Sequence, residues 1–273
     1  MSKKTPILAV ANHKGGVGKT TTVVNLAAEL GRSGYNVLVV DLDPQANTSL
    51  HIGRRHPSEV SVTCAELLLS DLDKLPLAIE EDTHIENVSL IYGSLALGRT
   101  EDDLREQSAR PSEELKMKLQ ALDGLFDIII IDTPPSLKLL TGNALAAATH
   151  VIVPVESGSQ YGMYGINDLM KHCQRIRKIN PELEILGALL TKHDERQTVC
   201  KIMEEAALAE IGKLIGVKIP TSTKVPQSVI AKTSIHAIDR TSKVAREYRE
   251  LAKIIATAVN LDSLKSNEGG ANV

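Results

Sequence analysis

The chain has 273 residues, enough to bury a full core, and its 42% hydrophobic and 24% charged content excludes a disordered or fibrous polypeptide. Aromatics make up 2%, with one Phe and no Trp, so the core must come from Val, Ile, Leu and Ala, which suits strands buried on both faces by helices. The net charge of −3 conceals an asymmetry: residues 213–253 hold nine Lys/Arg against three Asp/Glu, and this basic stretch in the C-terminal third of an acidic chain points to a polyanionic partner.

In chain order, a short lead without a signal-peptide pattern runs straight into a first strand, Ile7–Val10. A glycine-rich stretch follows, and residues 20–30 then set Val23, Leu26, Ala27 and Leu30 on one helical face, with Gly31 and Gly34 as stops. Residues 37–40 form a second aliphatic run that ends in Asp41-Leu42-Asp43-Pro44. Further runs stand at 88–92, 128–131, 151–155, 185–190 and 217–219, with helical patterns at 112–122, 142–149, 164–179, 197–211 and 242–259. Short continuous apolar runs alternating with helices mean right-handed βαβ crossovers. The expected fold is therefore α/β, a doubly wound, mainly parallel sheet flanked by helices, forming one domain over residues 1–262.

Residues 54–111 are more polar and read as a peripheral excursion around one strand, and residues 263–273 lack apolar anchors and read as a disordered tail. No apolar run approaches the roughly 18 residues of a membrane span. Cys64, Cys173 and Cys200 show no metal-ligand spacing, and Cys173 falls in phase with Ile166, Leu169 and Ile176 as a buried thiol. An odd, unframed set of cysteines suits a reducing cytoplasm.

Lys14-Gly15-Gly16-Val17-Gly18-Lys19-Thr20-Thr21 lies directly between the first strand and the first helix. The ordinary phosphate loop, G-x-x-x-x-G-K-[ST], would require glycine where His13 stands. The chemistry is nevertheless that of a phosphate cradle. Glycines let successive N–H groups converge on an anion, and the helix aims its unsatisfied N–H groups at the same place. Lys19 is expected on the β- and γ-phosphates of ATP and the Thr20 hydroxyl on Mg²⁺. At 128–132 an aliphatic run ends in Asp132, where it would hold a Mg²⁺-bound water. Asp41 and Asp43, two apart on extended backbone, can point the same way.

These three motifs, Lys14 to Thr20, Asp41 to Gln45, and Ile131-Asp132-Thr133-Pro134-Pro135, resemble the ParA/MinD family of deviant Walker A P-loop ATPases, and the ParA-type partition ATPases in particular. The resemblance spans residues 7–248 and implies an ATP-bound homodimer in which Lys14 reaches phosphates held by the partner subunit. It also implies that Asp43 positions the attacking water, that Asp41 lies near the Mg²⁺ shell, and that Thr191 and Pro220 contact adenine. The implied partners are nonspecific duplex DNA and a ParB-type centromere-binding protein that stimulates otherwise slow hydrolysis, at the nucleoid. Lys218, Lys224, Lys232, Arg240, Lys243, Arg246 and Arg249 are the implied DNA contacts, made to phosphates because no aromatic residues interleave them.

Three other functions share such a loop. A MinD-like membrane regulator needs a basic amphipathic C-terminal helix, and the chain ends instead in Asn267-Glu268-Gly269-Gly270. A metallocluster carrier needs paired cysteines. A nucleotide-binding scaffold without turnover has no sequence mark that separates it. With only a few residues before Ile7, sequence-specific binding through an N-terminal helix-turn-helix is not expected.

Overall fold

The computed structural model describes residues 4–159, 161 and 163–261. Its strands are β1 (Ile7–Val10), β2 (Val37–Asp41), β3 (Ile79–Glu80), β4 (Val88–Ile91), β5 (Ile128–Asp132), β6 (His150–Glu156), β7 (Glu184–His193) and β8 (Leu214–Pro220). They form one sheet in the order β3-β4-β2-β5-β1-β6-β7-β8. Every pairing is parallel except that of β3 with β4. All seven expected strands are present. β3 is the addition, and two residues are too few to leave a pattern.

The helices are α1 (Lys19–Arg32), α2 (Asn47–Ile52), α3 (Cys64–Leu69), α4 (Leu75–Ala78), α5 (Leu97–Gln107), α6 (Glu114–Gln120), α7 (Leu139–Ala147), α8 (Ile166–Ile176), α9 (Thr198–Ile211), α10 (Lys224–Ile230), α11 (Ile235–Ile238) and α12 (Lys243–Ala258). Within single strands, side chains alternate between two cores. Ile129 and Ile131 join one cluster with α3, α5, α6, α7 and α8, while Ile128 and Ile130 join another with α1 and α12. Both faces are covered, which is why these strands read as unbroken aliphatic runs. Each fully buried Ile contributes about 1.5–3 kcal/mol by leaving water. All three cysteines are buried, and burial pushes the Cys173 thiol up to about 11.

One expectation fails. Residues 54–111 are not a peripheral excursion: Cys64, Leu67, Leu68, Leu97 and Leu104 sit in the core. Polar outer faces hide this in the sequence. Thr63 and Glu66 form a capping box that starts α3, while α5 buries only Leu97, Thr100 and Leu104 among its eleven residues. The expected disordered tail lies outside the described residues.

The register sets the site. Asp41 and Asp132 pair across adjacent parallel strands at their C-terminal ends, and Val10, which leads into the glycine loop, pairs with Asp132 from the other side. Parallel topology thus brings three motifs, separated by up to 120 residues of chain, to one edge of the sheet.

Candidate nucleotide site

Gly16 (φ 75°) and Gly18 (φ 90°) both take left-handed backbone, which costs an L side chain about 1–2 kcal/mol, so the loop favours glycine at these positions. Gly18 is the N-cap of α1, and no side chain caps the helix. Its first N–H groups therefore face the loop without a side-chain acceptor, which is the electrostatic arrangement for an anion. The Lys19 side chain curls back into the loop, where Nζ donates to the Lys14 carbonyl at 3.1 Å. Burial lowers its pKa, against the pull of Asp132 and Asp43.

Beside the loop, Asp132 Oδ2 accepts hydroxyl hydrogen bonds from Thr20 and Thr48, each at 2.7 Å. Its Oδ1 is buried and has no hydrogen-bond partner. Asp41 Oδ2 accepts from the Ser49 amide (2.8 Å) and hydroxyl (2.7 Å), and its Oδ1 accepts from the Asp43 amide at 3.2 Å. Burial raises the pKa of both carboxyls, and the Asp132 charge raises Asp41 further. Two buried acids side by side, one with an orphaned oxygen next to a threonine hydroxyl, form a hard-oxygen donor set that a divalent cation would relieve. The site fits Mg²⁺ through Thr20 and Asp132. Asp41 is already committed to Ser49 and Asp43, so its geometry is that of a residue shaping the loop. Asp43 Oδ1 accepts from the Gln45 amide at 2.9 Å, and burial raises its pKa although Lys19 opposes this.

Lys14 does not turn into its own loop. Nζ donates to Glu156 Oε2 at 2.8 Å and lies 3.4 Å from Ser159 Oγ, while the Lys14 amide donates to Asn12 Oδ1 at 2.9 Å. Glu156 also holds Lys192 at 2.9 Å. Burial alone would raise the Glu156 pKa, but the hydrogen bonds from Lys14 and Lys192 outweigh it and hold the carboxyl below its ordinary range. His13, which breaks the ordinary loop pattern, stacks on Tyr164 with centroids 6.5 Å apart. It fits because position 165 is glycine (φ 78°), where a Cβ would lie 2.7 Å from His13 Nδ1.

The expected adenine contacts converge. Thr191 and Pro220 line a pocket of about 240 Å³ with Gly18, Thr21, Val225 and Tyr248. The Thr191 hydroxyl donates to the Val17 carbonyl at 2.8 Å, bracing the phosphate loop from the pocket side. The seven basic positions divide. Lys218 pairs with Glu204 at 2.7 Å, Lys224 with Asp239 at 3.7 Å, Lys243 with Glu195 at 3.9 Å and Arg249 with Glu29 at 3.8 Å. Lys232, Arg240 and Arg246 are exposed and, among the described residues, form no ion pair.

Sequence reasoning missed Thr48, Ser49 and Glu156. The first two carried a faint signal, as paired hydroxyls one helical turn beyond the Asp41 motif. Glu156 carried none, being one acid at the end of a strand.

A parallel sheet with a glycine cradle before α1 and acids at the neighbouring strand ends defines a P-loop nucleoside triphosphatase. A family model described as an AAA domain matches residues 5–185. The chain is similar to the sporulation initiation inhibitor protein Soj of Bacillus subtilis (35% identity, 92% of this chain and 98% of that protein). It is also similar to the chromosome partitioning protein ParA of Caulobacter vibrioides (34% identity, 90% and 92%). The chain belongs to this family, among its ParA-type ATPases. Among solved structures, it resembles cobyrinic acid a,c-diamide synthase from Mycobacterium smegmatis with a bound ATP analogue and magnesium (TM-score 0.80, 35% identity, 91% and 93% covered). It also resembles the septum site-determining protein MinD from Pyrococcus horikoshii with Mg-ADP (TM-score 0.74, 27% identity, 92% and 96%). ATP and Mg²⁺, the expected cofactors, fit the site, and these neighbours hold an ATP analogue with magnesium or Mg-ADP. Among the described residues, no helix is long and apolar enough to cross a membrane.

Proposed function

We propose that this chain is a DNA-partition ATPase: with MgATP it forms a homodimer that binds duplex DNA without sequence specificity, and hydrolysis resets it. A ParB-type centromere-binding protein stimulates that hydrolysis at the nucleoid, in the cytoplasm. The observation that carries the reading is the direction of Lys14. Its ammonium rests on Glu156 and Ser159 rather than in its own phosphate loop, so the cation is available to a second nucleotide-bound copy.

The geometry supports the following division of work. The amides of Gly15, Gly16, Val17 and Gly18 and the first turn of α1 bind and orient the phosphates, with Lys19 across the β- and γ-positions. Mg²⁺, when bound, neutralises phosphate charge, and the Thr20 hydroxyl and Asp132 would hold it. Asp43, raised by burial, orients the attacking water and accepts its proton. Lys14 of the partner subunit supplies the final positive charge to the transition state. Thr191, Pro220 and Tyr248 enclose the base.

The test is duplex DNA binding, of random sequence, in Mg²⁺ with a non-hydrolysable ATP analogue or with ADP. Binding should be tight and salt-sensitive with the analogue only. Equal affinity in both states defeats the partition reading, and flotation with liposomes instead of DNA would replace it with a membrane role.

A further inference from the structure

One buried side chain joins the acidic side of the nucleotide site to the base pocket. His51 lies in the last turn of α2, and its Nε2 is 3.1 Å from the Ser228 carbonyl and 2.9 Å from the Thr233 carbonyl. Both are acceptors, so Nε2 carries the ring proton and donates to the two together. Burial lowers the pKa of this imidazole, which keeps it neutral. Ser228 belongs to α10, and its own hydroxyl donates to the Val225 carbonyl at 2.8 Å. Val225 and Pro226, in the first turn of α10, wall the base pocket.

The other end of α2 carries Thr48 on Asp132 and Ser49 on Asp41. Thr48 and His51 are three residues apart, neighbours on successive turns, so one short helix carries both contacts on one face. A second tether runs in parallel from α1. Asn25 Oδ1 accepts from the Ile235 amide and Asn25 Nδ2 donates to the Thr21 carbonyl, both at 2.8 Å. The connection between α10 and α11 is thus strung between an anchor on α2 and an anchor on α1. Lys232, exposed and in left-handed backbone (φ 48°), sits in that connection.

We propose that His51 is a positioning residue through which α2 acts as a bar, tying Asp41 and Asp132 to the α10 wall of the base pocket. The inference rests on the nucleotide reading above and adds a route through this chain's own residues. Ligation by Thr20 draws its hydroxyl away from Asp132 and leaves Thr48 as the hydroxyl on Oδ2. The reset carboxylate moves α2, and His51 moves the carbonyls of Ser228 and Thr233. The base is then gripped in response to the phosphate side, and the Lys232 connection is reset in the same motion.

Amide hydrogen exchange reads this directly. The amides of Ala231 and Thr233 bond back to the Gln227 and Ser228 carbonyls of α10, and that of Ile235 bonds Asn25, so residues 228–235 report on the connection. In the unaltered protein, Mg²⁺ with a non-hydrolysable ATP analogue should slow exchange severalfold both at residues 14–22 and at residues 228–235. In His51→Ala the slowing at 14–22 should persist at saturating analogue while that at 228–235 disappears, and analogue affinity should drop about tenfold, the scale of one lost buried hydrogen bond. His51→Gln, whose amide can still donate to one carbonyl, should restore most of both effects. If His51→Ala does not fold, His51→Gln against Thr48→Val keeps the question open to refutation, because Thr48→Val should cut the same bar at its other end. The proposal is overturned if His51→Ala or Thr48→Val leaves the response at 228–235 intact, or if only Asn25→Ala removes it. No response at either segment in the unaltered protein defeats the nucleotide reading itself, and this inference with it.

Discussion

Glu156→Gln should make the nucleotide-bound dimer tighter. In the structure, Lys14 and Glu156 are 2.8 Å apart, with side chains 21% and 19% exposed. At an effective dielectric of 20, that separation gives a gross attraction of about 6 kcal/mol. Most of it offsets desolvation, and Gln keeps a carbonyl acceptor for Lys14, so the net loss on substitution is about 1 kcal/mol. If Lys14 must leave Glu156 to reach the partner's phosphates, that amount opposes dimerisation once per protomer. Removing it twice strengthens association by about 2 kcal/mol, roughly thirtyfold in dissociation constant. Sedimentation velocity with Mg²⁺ and a non-hydrolysable ATP analogue measures this across a concentration series. An unchanged or weaker dimer would refute the reasoning, because the Glu156 contact would then not be a resting position that has to be given up.

Other consequences concern the acids, the His13 fit and the basic face. Burial raises Asp41 and Asp132, so the folded chain holds protons that the unfolded chain releases, and nucleotide-free stability falls as pH rises through the shifted range. Asp132→Asn should therefore raise the nucleotide-free Tm at pH 8 by about 3 °C, roughly 1 kcal/mol for a chain of this size, and abolish stabilisation by Mg²⁺ with the analogue. A lower Tm at pH 8 contradicts the like-charge argument. Gly165→Ala places a Cβ 2.7 Å from His13 Nδ1 on left-handed backbone, and urea unfolding should show a loss of about 1–3 kcal/mol. Adding His13→Gly should return part of that loss, and no recovery would mean that the clash is not the cause. Substituting Lys232, Arg240 and Arg246 together by Ala should flatten the salt dependence of duplex binding by about 3 in log–log slope, at about 0.9 per phosphate contact. Lys224→Ala, which removes a cation already facing Asp239, should change the slope less.

What the sequence made legible follows from what each feature needed in order to be seen. The buried strands were legible because double-sided burial forces unbroken aliphatic runs, and residues 128–131 are four isoleucines in succession. α3 was legible in principle, since Thr63 stands before Cys-Ala-Glu-Leu-Leu-Leu with Glu66 at capping-box spacing, but the polar residues around it masked a segment that is core. α5 was harder, because three inward residues among eleven leave a composition that reads as surface. Thr48, Ser49 and His51 were not legible as a set: hydroxyl and imidazole side chains on a short helix acquire roles only when folding brings them to Asp41 and, across separations of 84 and 177 residues, to Asp132 and α10.

Lys14 shows where this limit falls most sharply. Its place before the glycines could be read from the sequence, and with it the expectation that it serves a partner's nucleotide. Its direction could not, because direction depends on Glu156, 142 residues away at the end of β6, and on Asn12, which fixes the Lys14 amide. A strand-end glutamate has no periodic or compositional mark that separates it from a solvated acid. Yet the same carboxylate that keeps Lys14 out of its own loop also holds Lys192, the residue after Thr191, whose hydroxyl braces Val17. The loop, the outward lysine and the wall of the pocket beside Thr191 are therefore fastened at one point. A charge change at Glu156 should then be felt in nucleotide affinity as well as in dimerisation, and measuring both on Glu156→Gln separates the effect of freeing Lys14 from the effect of loosening the pocket.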